Sequence, residues 1–114
     1  MTIRADAAQI SQVLINVMNN SAEAMPTGGT IDVESYCFSA DSGTSTARIT
    51  ISDSGDGIDD EVISHMFEPF WTTKPQGTGL GLAVSYRIIE AHGGTMSVES
   101  RSAGGCRFTI TLPA

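Results

Sequence analysis

The chain has 114 residues, 40% of them hydrophobic and spread along its length, which suits one domain with a single two-layer core. Six basic against thirteen acidic side chains give a formal net charge of −7, leaving no basic stripe to neutralise a nucleic-acid backbone. No apolar run reaches the length of a membrane span and no signal-peptide pattern opens the sequence, so a cytoplasmic domain is expected, whether or not a parent protein is membrane-anchored.

The first element is predicted as a helix from about Asp6 to Met25, because Asp6 and Gln9 have capping-box spacing. At about 100° per residue, Ile10, Val13, Leu14, Val17, Met18, Ser21, Ala24 and Met25 share one arc. Gln9, Gln12, Asn16, Asn19, Asn20 and Glu23 share the opposite one, and Pro26-Thr27-Gly28-Gly29 stops the helix. Alternation of apolar and polar residues predicts strands over Thr30 to Phe38 and Ala47 to Asp53, joined by a polar, mobile loop from Ser39 to Thr46. A short helix capped by an aspartate follows from Asp59 to Met66. Leu80, Val84, Ile88 and Ala91 have helical spacing, stopped by His92-Gly93-Gly94. Thr95 to Ser100 and Arg107 to Leu112 then form a hairpin turning at Ala103-Gly104-Gly105. This order predicts an α+β sandwich, with about three helices on one face of a mixed, mainly antiparallel sheet. Cys37 and Cys106 lack metal-motif spacing and are expected as two buried thiols in a reducing compartment. A chain that opens almost directly on a helix also suggests a fragment of a longer protein.

Three constellations can carry chemistry. Asn16-x-x-x-Asn20 sets two carboxamides one helical turn apart; their oxygens suit a phosphate-bound Mg²⁺, and equally a solvated polar face. Asp53-Ser54-Gly55-Asp56-Gly57-Ile58 directly follows a strand. A carboxylate there only accepts hydrogen bonds, which matches the exocyclic amino group of adenine and rejects the carbonyl of guanine. An ordinary Asp/Gly turn fits the same residues. Finally, Phe67 to Leu82 joins an aromatic-Pro segment, Lys74 and Gly77-x-Gly79-x-Gly81 just before a helix, whose first N–H groups suit a phosphate. That spacing is neither a dinucleotide fingerprint nor a Walker loop, and a glycine hinge is the alternative.

Taken in order, these motifs resemble the ATP-binding catalytic domain of sensor histidine kinases, of the gyrase/chaperone/MutL-like clan with the Bergerat fold. The resemblance runs from about Ala5 to Pro113, including Glu90-Ala91-His92-Gly93-Gly94 and the closing Phe108-to-Pro113 strand. It implies that Asn20 ligates Mg²⁺ on ATP and that Asn16 contacts phosphate or the metal's water shell. Asp53 would bind the adenine amino group, with Gly55, Gly57 and Ile58 shaping the base pocket. Residues 68–79 look like a short ATP lid, in which Phe70, Thr73, Lys74 and Thr78 meet the nucleotide and Lys74 reaches a phosphate. Gly77, Gly79, Leu80, Gly81 and Leu82 would form the phosphate-facing helix start. Phe67 and Phe70 fit either core anchors or ligand contacts, and Trp71 fits a contact with a partner domain or simple packing. Glu23 stands where many relatives carry a basic residue and short-lid relatives often an acidic one, and Lys74 could compensate. Cys106 stands where Thr or Ser is common, which puts any hydroxyl contact with the nucleotide in doubt.

Gyrase-like relatives and related serine kinases carry a Glu general base where this chain has Asn16. A carboxamide takes up no proton at neutral pH, so hydrolysis is expected to be slow. An imidazole acceptor needs no such base, which favours phosphoryl transfer to a histidine on a separate dimerisation domain in two-component signalling, with a response regulator reached indirectly. His65 and His92 lack the acidic follower of family acceptors, and His92 reads as a helix-end cap. The isolated chain is expected to be monomeric and to bind ATP without phosphorylating itself. An ATPase or serine kinase of the same clan, or a non-catalytic nucleotide-binding module, are the alternatives.

Overall fold

The computed structural model describes residues 5–39, 43, 45–57, 59–69, 81–101 and 104–113. Helix α1 spans Ala7–Glu23, strands β1 and β2 span Ile31–Ser39 and Ser45–Asp53, α2 spans Asp60–His65, α3 spans Gly81–Ala91, and β3 and β4 span Thr95–Ser100 and Cys106–Pro113. The strands form one sheet in the order β1-β2-β4-β3, and every described pairing is antiparallel. This is the expected α+β arrangement, three helices with an antiparallel sheet.

Period-2 alternation fixes the buried face. Cys106, Phe108, Ile110 and Leu112 of β4 are buried, while Arg107, Thr109 and Thr111 between them are half-exposed. Register carries that face across the sheet: Ile51 pairs with Phe108, Ile49 with Ile110, and Met96 with Ile110 from the other side. Val13 and Val17 of α1 and Ile89 of α3 close the core from above. Each of these aliphatic side chains contributes about 1.5–3 kcal/mol by leaving water. Val62, Met66 and Phe67 fasten α2 to the same cluster, and the Phe67 ring stacks on Tyr86 with centroids 5.0 Å apart.

Local signals set the ends. The Asp6 side chain accepts from the Gln9 N–H at 3.1 Å and caps α1. At the end of α3, the Gly93 N–H donates to Glu90 O and the Gly94 N–H to Ile89 O, both at 2.9 Å, with Gly93 at φ +76°. His92 caps the same end through its ring, with Nδ1 2.8 Å from Ile88 O, and its Nε2 accepts the Asp6 N–H at 3.1 Å. The sequence predicts the cap but not the second bond, which joins the two helix ends.

Four expectations are corrected. Cys37 is exposed, not buried. Its strand is an edge strand of which only Ile31 is half-buried, because the helices cover the other strands and reach only the start of β1. Met18 and Ala24 are exposed, since α1 buries the narrower stripe Val13, Val17 and Ser21, leaving Asn16 and Asn20 half-buried beside it. In α3 the buried residues are Ala83, Ser85 and Ile89; Val84 points away and is 45% exposed. The helix is rotated because it packs on α1 as well as β3. The β1–β2 pairing also extends to Ser39 and Ser45, so the loop is shorter than predicted.

Candidate functional site

The site is organised by Asp53, the last residue of β2, which is 1% exposed. Its Oδ1 accepts the Gly55 N–H at 3.0 Å and the Cys106 N–H at 3.2 Å. Its Oδ2 accepts the Cys106 thiol at 3.0 Å. A carboxylate offers about four acceptor positions. Three donors among the described residues leave capacity on Oδ2 for one more, and a buried carboxylate is stable only when so supplied.

Glycines let three backbone segments meet around this carboxylate. A Cβ on Gly55 would lie 3.1 Å from both Ala24 O and Asp53 Oδ1, so the turn after β2 sits against the end of α1. Gly105, at φ +81°, has no room for a Cβ at all, because Asp53 O already occupies that space. A Cβ on Gly57, at φ +82°, would lie 3.3 Å from Gly105 O. Arg101 Nη1 donates to Asp53 O at 3.0 Å and ties the β3–β4 turn to β2. Ser54 Oγ accepts the Thr30 N–H at 2.9 Å, which joins the turn to the start of β1.

Burial, the hydrogen bond to Asp53 and the Asp53 charge push the Cys106 thiol up to about 12, against a smaller opposing effect of Arg101. It is therefore a donor to Asp53 and a poor nucleophile, with only about one thiolate in ten thousand at pH 8. A thiol reagent at pH 8 is expected to modify the exposed Cys37 quickly, and Cys106 only after unfolding. Two fast equivalents per chain would contradict the thiol–carboxylate bond.

A second cluster lies between α1 and α3. Asn16 Nδ2 donates to Gly81 O at 3.1 Å and to Ser85 Oγ at 3.0 Å, while its Oδ1 accepts Gln12 Nε2 at 2.8 Å. The structure thus joins Asn16 to the first turn of α3. Asn20 is half-buried one turn further along α1, exposed Gly81 opens α3, and Leu82 packs against the core. Of the two readings of Phe67, the stack on Tyr86 makes it a core anchor. Ile58, Phe70, Trp71, Thr73, Lys74, Gly77, Thr78, Gly79 and Leu80 lie outside the described residues. Sequence reasoning missed Arg101, Gly105 and Ser85. Gly104-Gly105 was legible only as a turn, and nothing local marks a partner 48 or 53 residues away.

The family described as histidine kinase-, DNA gyrase B- and HSP90-like ATPase matches residues 5–114. The chain belongs to this family. Sensor histidine kinase ZraS of Salmonella typhimurium is 46% identical over 111 residues, 97% of this chain and 23% of ZraS. Sporulation kinase A of Bacillus subtilis is 41% identical over 111 residues, 97% of this chain and 18% of that kinase. The chain therefore spans about a fifth of the length of these curated relatives. Among solved structures, the nucleotide-free catalytic domain of histidine kinase ThkA superposes with a TM-score of 0.83 at 38% identity, covering 97% of this chain and 70% of that one. Full-length ShkA in complex with AMPPNP gives 0.78 at 28% identity, covering 98% of this chain and 23% of that one. The fold of this domain is thus that of histidine kinase catalytic domains.

Proposed function

We propose that this domain binds Mg·ATP and supplies its γ-phosphoryl group to a histidine on a separate dimerisation domain, within a two-component signalling protein. The observation that carries this reading is the buried Asp53 carboxylate, held by three donors among the described residues with an acceptor position left over from them. The adenine amino group fills that position, whereas guanine presents a carbonyl oxygen and is repelled. ShkA, a structural neighbour, was solved with an adenine nucleotide, which supports the assignment.

Asn20 is the residue that would hold Mg²⁺. A carboxamide oxygen is a neutral, hard donor, suited to an ion that takes its other ligands from phosphate and water. Bound Mg²⁺ would offset the negative charge of the triphosphate. Lys74 and residues 77–80 keep the phosphate-facing role that the resemblance implies.

No base is available at position 16. The Asn16 carboxamide cannot take up a proton, and both its ends are engaged, with Gln12 on one side and α3 on the other. The domain's contribution is positioning and charge stabilisation. His92 is unsuited as an acceptor, because both ring nitrogens are engaged at the α1–α3 junction. His65, the half-buried last residue of α2, pairs through Nδ1 with Glu68 at 3.0 Å.

The test is calorimetric titration with ATP and GTP in the presence of Mg²⁺, followed by incubation with radiolabelled ATP. ATP is expected to bind at least about tenfold more tightly than GTP, as loss of one charge-assisted hydrogen bond dictates. Label should appear on a histidine-bearing dimerisation domain and not on this chain. Steady ADP release by the pure domain would instead favour the ATPase reading.

A further inference from the structure

We infer that Ser85 is a positioning residue of the nucleotide site, forming with Asn16 a buried polar clamp that fixes the first turn of α3. The inference rests on the ATP-site reading and concerns residues to which that reading gives no such role.

Ser85 is 0% exposed on the face of α3 that packs against α1, where an alanine would fill the space without any polar cost. Buried hydroxyls are in the large majority hydrogen-bonded, because an unpaired one costs free energy. Here Ser85 Oγ donates to Gly81 O at 2.9 Å and accepts from Asn16 Nδ2 at 3.0 Å. Asn16 Nδ2 also donates to Gly81 O at 3.1 Å, so the carboxamide spends its two hydrogens on the two members of α3. Gln12 Nε2, at 2.8 Å from Asn16 Oδ1, holds the carboxamide in that orientation from the outside. Every donor in this chain of bonds points one way, ending on the Gly81 carbonyl.

Gly81 depends on that arrangement. A Cβ there would meet no atom of the described residues within 4 Å, so among them no packing at that position locates the residue. The clamp instead pins its carbonyl to α1, and with it the direction of the first N–H groups of α3, which have no partner within the helix itself. These are the groups available to a phosphate. Asn16 and Asn20 lie one turn apart on α1, so the clamp also fixes the distance between the proposed metal ligand and the start of α3. A carboxylate at position 16 would set negative oxygens against Gly81 O and break the clamp. The Asn at this position therefore has a structural cause beyond the absence of a base.

The experiment compares Ser85→Ala with the wild-type chain in calorimetric titrations of Mg·ATP and of adenosine, with thermal unfolding recorded for both proteins. Loss of the two Ser85 bonds, leaving only Asn16 Nδ2 on Gly81 O, is expected to raise the Kd for Mg·ATP by about five- to thirtyfold and to leave adenosine binding unchanged. A role confined to stability would move both ligands together or neither, and either result overturns the clamp. If Ser85→Ala fails to fold, Ser85→Cys, nearly isosteric with a weaker donor, gives the same comparison with a smaller ratio. A wild-type chain that binds neither ligand overturns the ATP reading, and the clamp's role with it. Wild-type binding without the split overturns the clamp alone.

Discussion

Asp53→Asn is expected to weaken ATP binding by at least about a hundredfold while leaving the domain folded. The substitution keeps one oxygen, which can still accept the Gly55 and Cys106 N–H groups that now converge on Oδ1. The amide nitrogen must then take the place of Oδ2, where it faces both the Cys106 thiol and the incoming adenine amino group. Two donors confront a third, and the acceptor that selects adenine is gone. A hydrogen bond to a charged group contributes about 1.5–3 kcal/mol, and a buried donor left without an acceptor costs about 1–3 kcal/mol more. Calorimetry with ATP, alongside circular dichroism to show retained fold, checks the result. Affinity within about threefold of wild type would place the base elsewhere. The same variant removes the two Asp53 contributions that raise the Cys106 thiol. Its labelling rate should therefore increase, which reports on the same bond without any nucleotide.

Much of the fold was legible because it rests on short-range periodicity. Asp6 with Gln9 marks the start of α1, His92-Gly93-Gly94 marks the end of α3, and the alternation from Cys106 to Leu112 exposes the buried face of β4. What was not legible depends on which element lies over which. Cys37 belongs to a strand with a good apolar pattern, yet its exposure follows from an edge position that the pattern does not encode. Val84 and Met18 sit on plausible apolar arcs, but the arcs turn once each helix packs on two neighbours. The candidate site divides the same way. Asp53, Gly55 and Gly57 stand together in one short motif, whereas Cys106, Gly105 and Arg101 reach Asp53 from the far end of the chain. Asn16 illustrates the limit. Its residue type and spacing identify a polar position beside Asn20, but its bonds to Gly81 and Ser85, 65 and 69 residues away, exist only in the folded chain.

Gly105→Ala is expected to destabilise the domain by about 3–5 kcal/mol, against about 1–2 kcal/mol for Gly104→Ala. Both residues lie in the left-handed region, at φ +98° for Gly104 and +81° for Gly105, so each substitution incurs backbone strain. Only Gly105 adds a steric conflict. A Cβ there would overlap the Asp53 carbonyl and crowd Oδ1 at 2.9 Å, whereas the nearest atom to a Cβ on Gly104 is Gly55 O at 3.8 Å. Backbone atoms cannot rotate aside, so the β3–β4 turn must lift away from β2. That movement carries Cys106, the next residue, and with it the N–H and thiol that hold the carboxylate. Urea unfolding of the two variants measures the difference in stability, and ATP titration the difference in binding. Gly104→Ala should bind nearly as wild type, while Gly105→Ala loses affinity even under conditions where it is fully folded. Equal losses in the two variants would mean that the turn contributes only strain relief. The expected difference would identify Gly105 as the contact through which the last hairpin sets the position of Asp53.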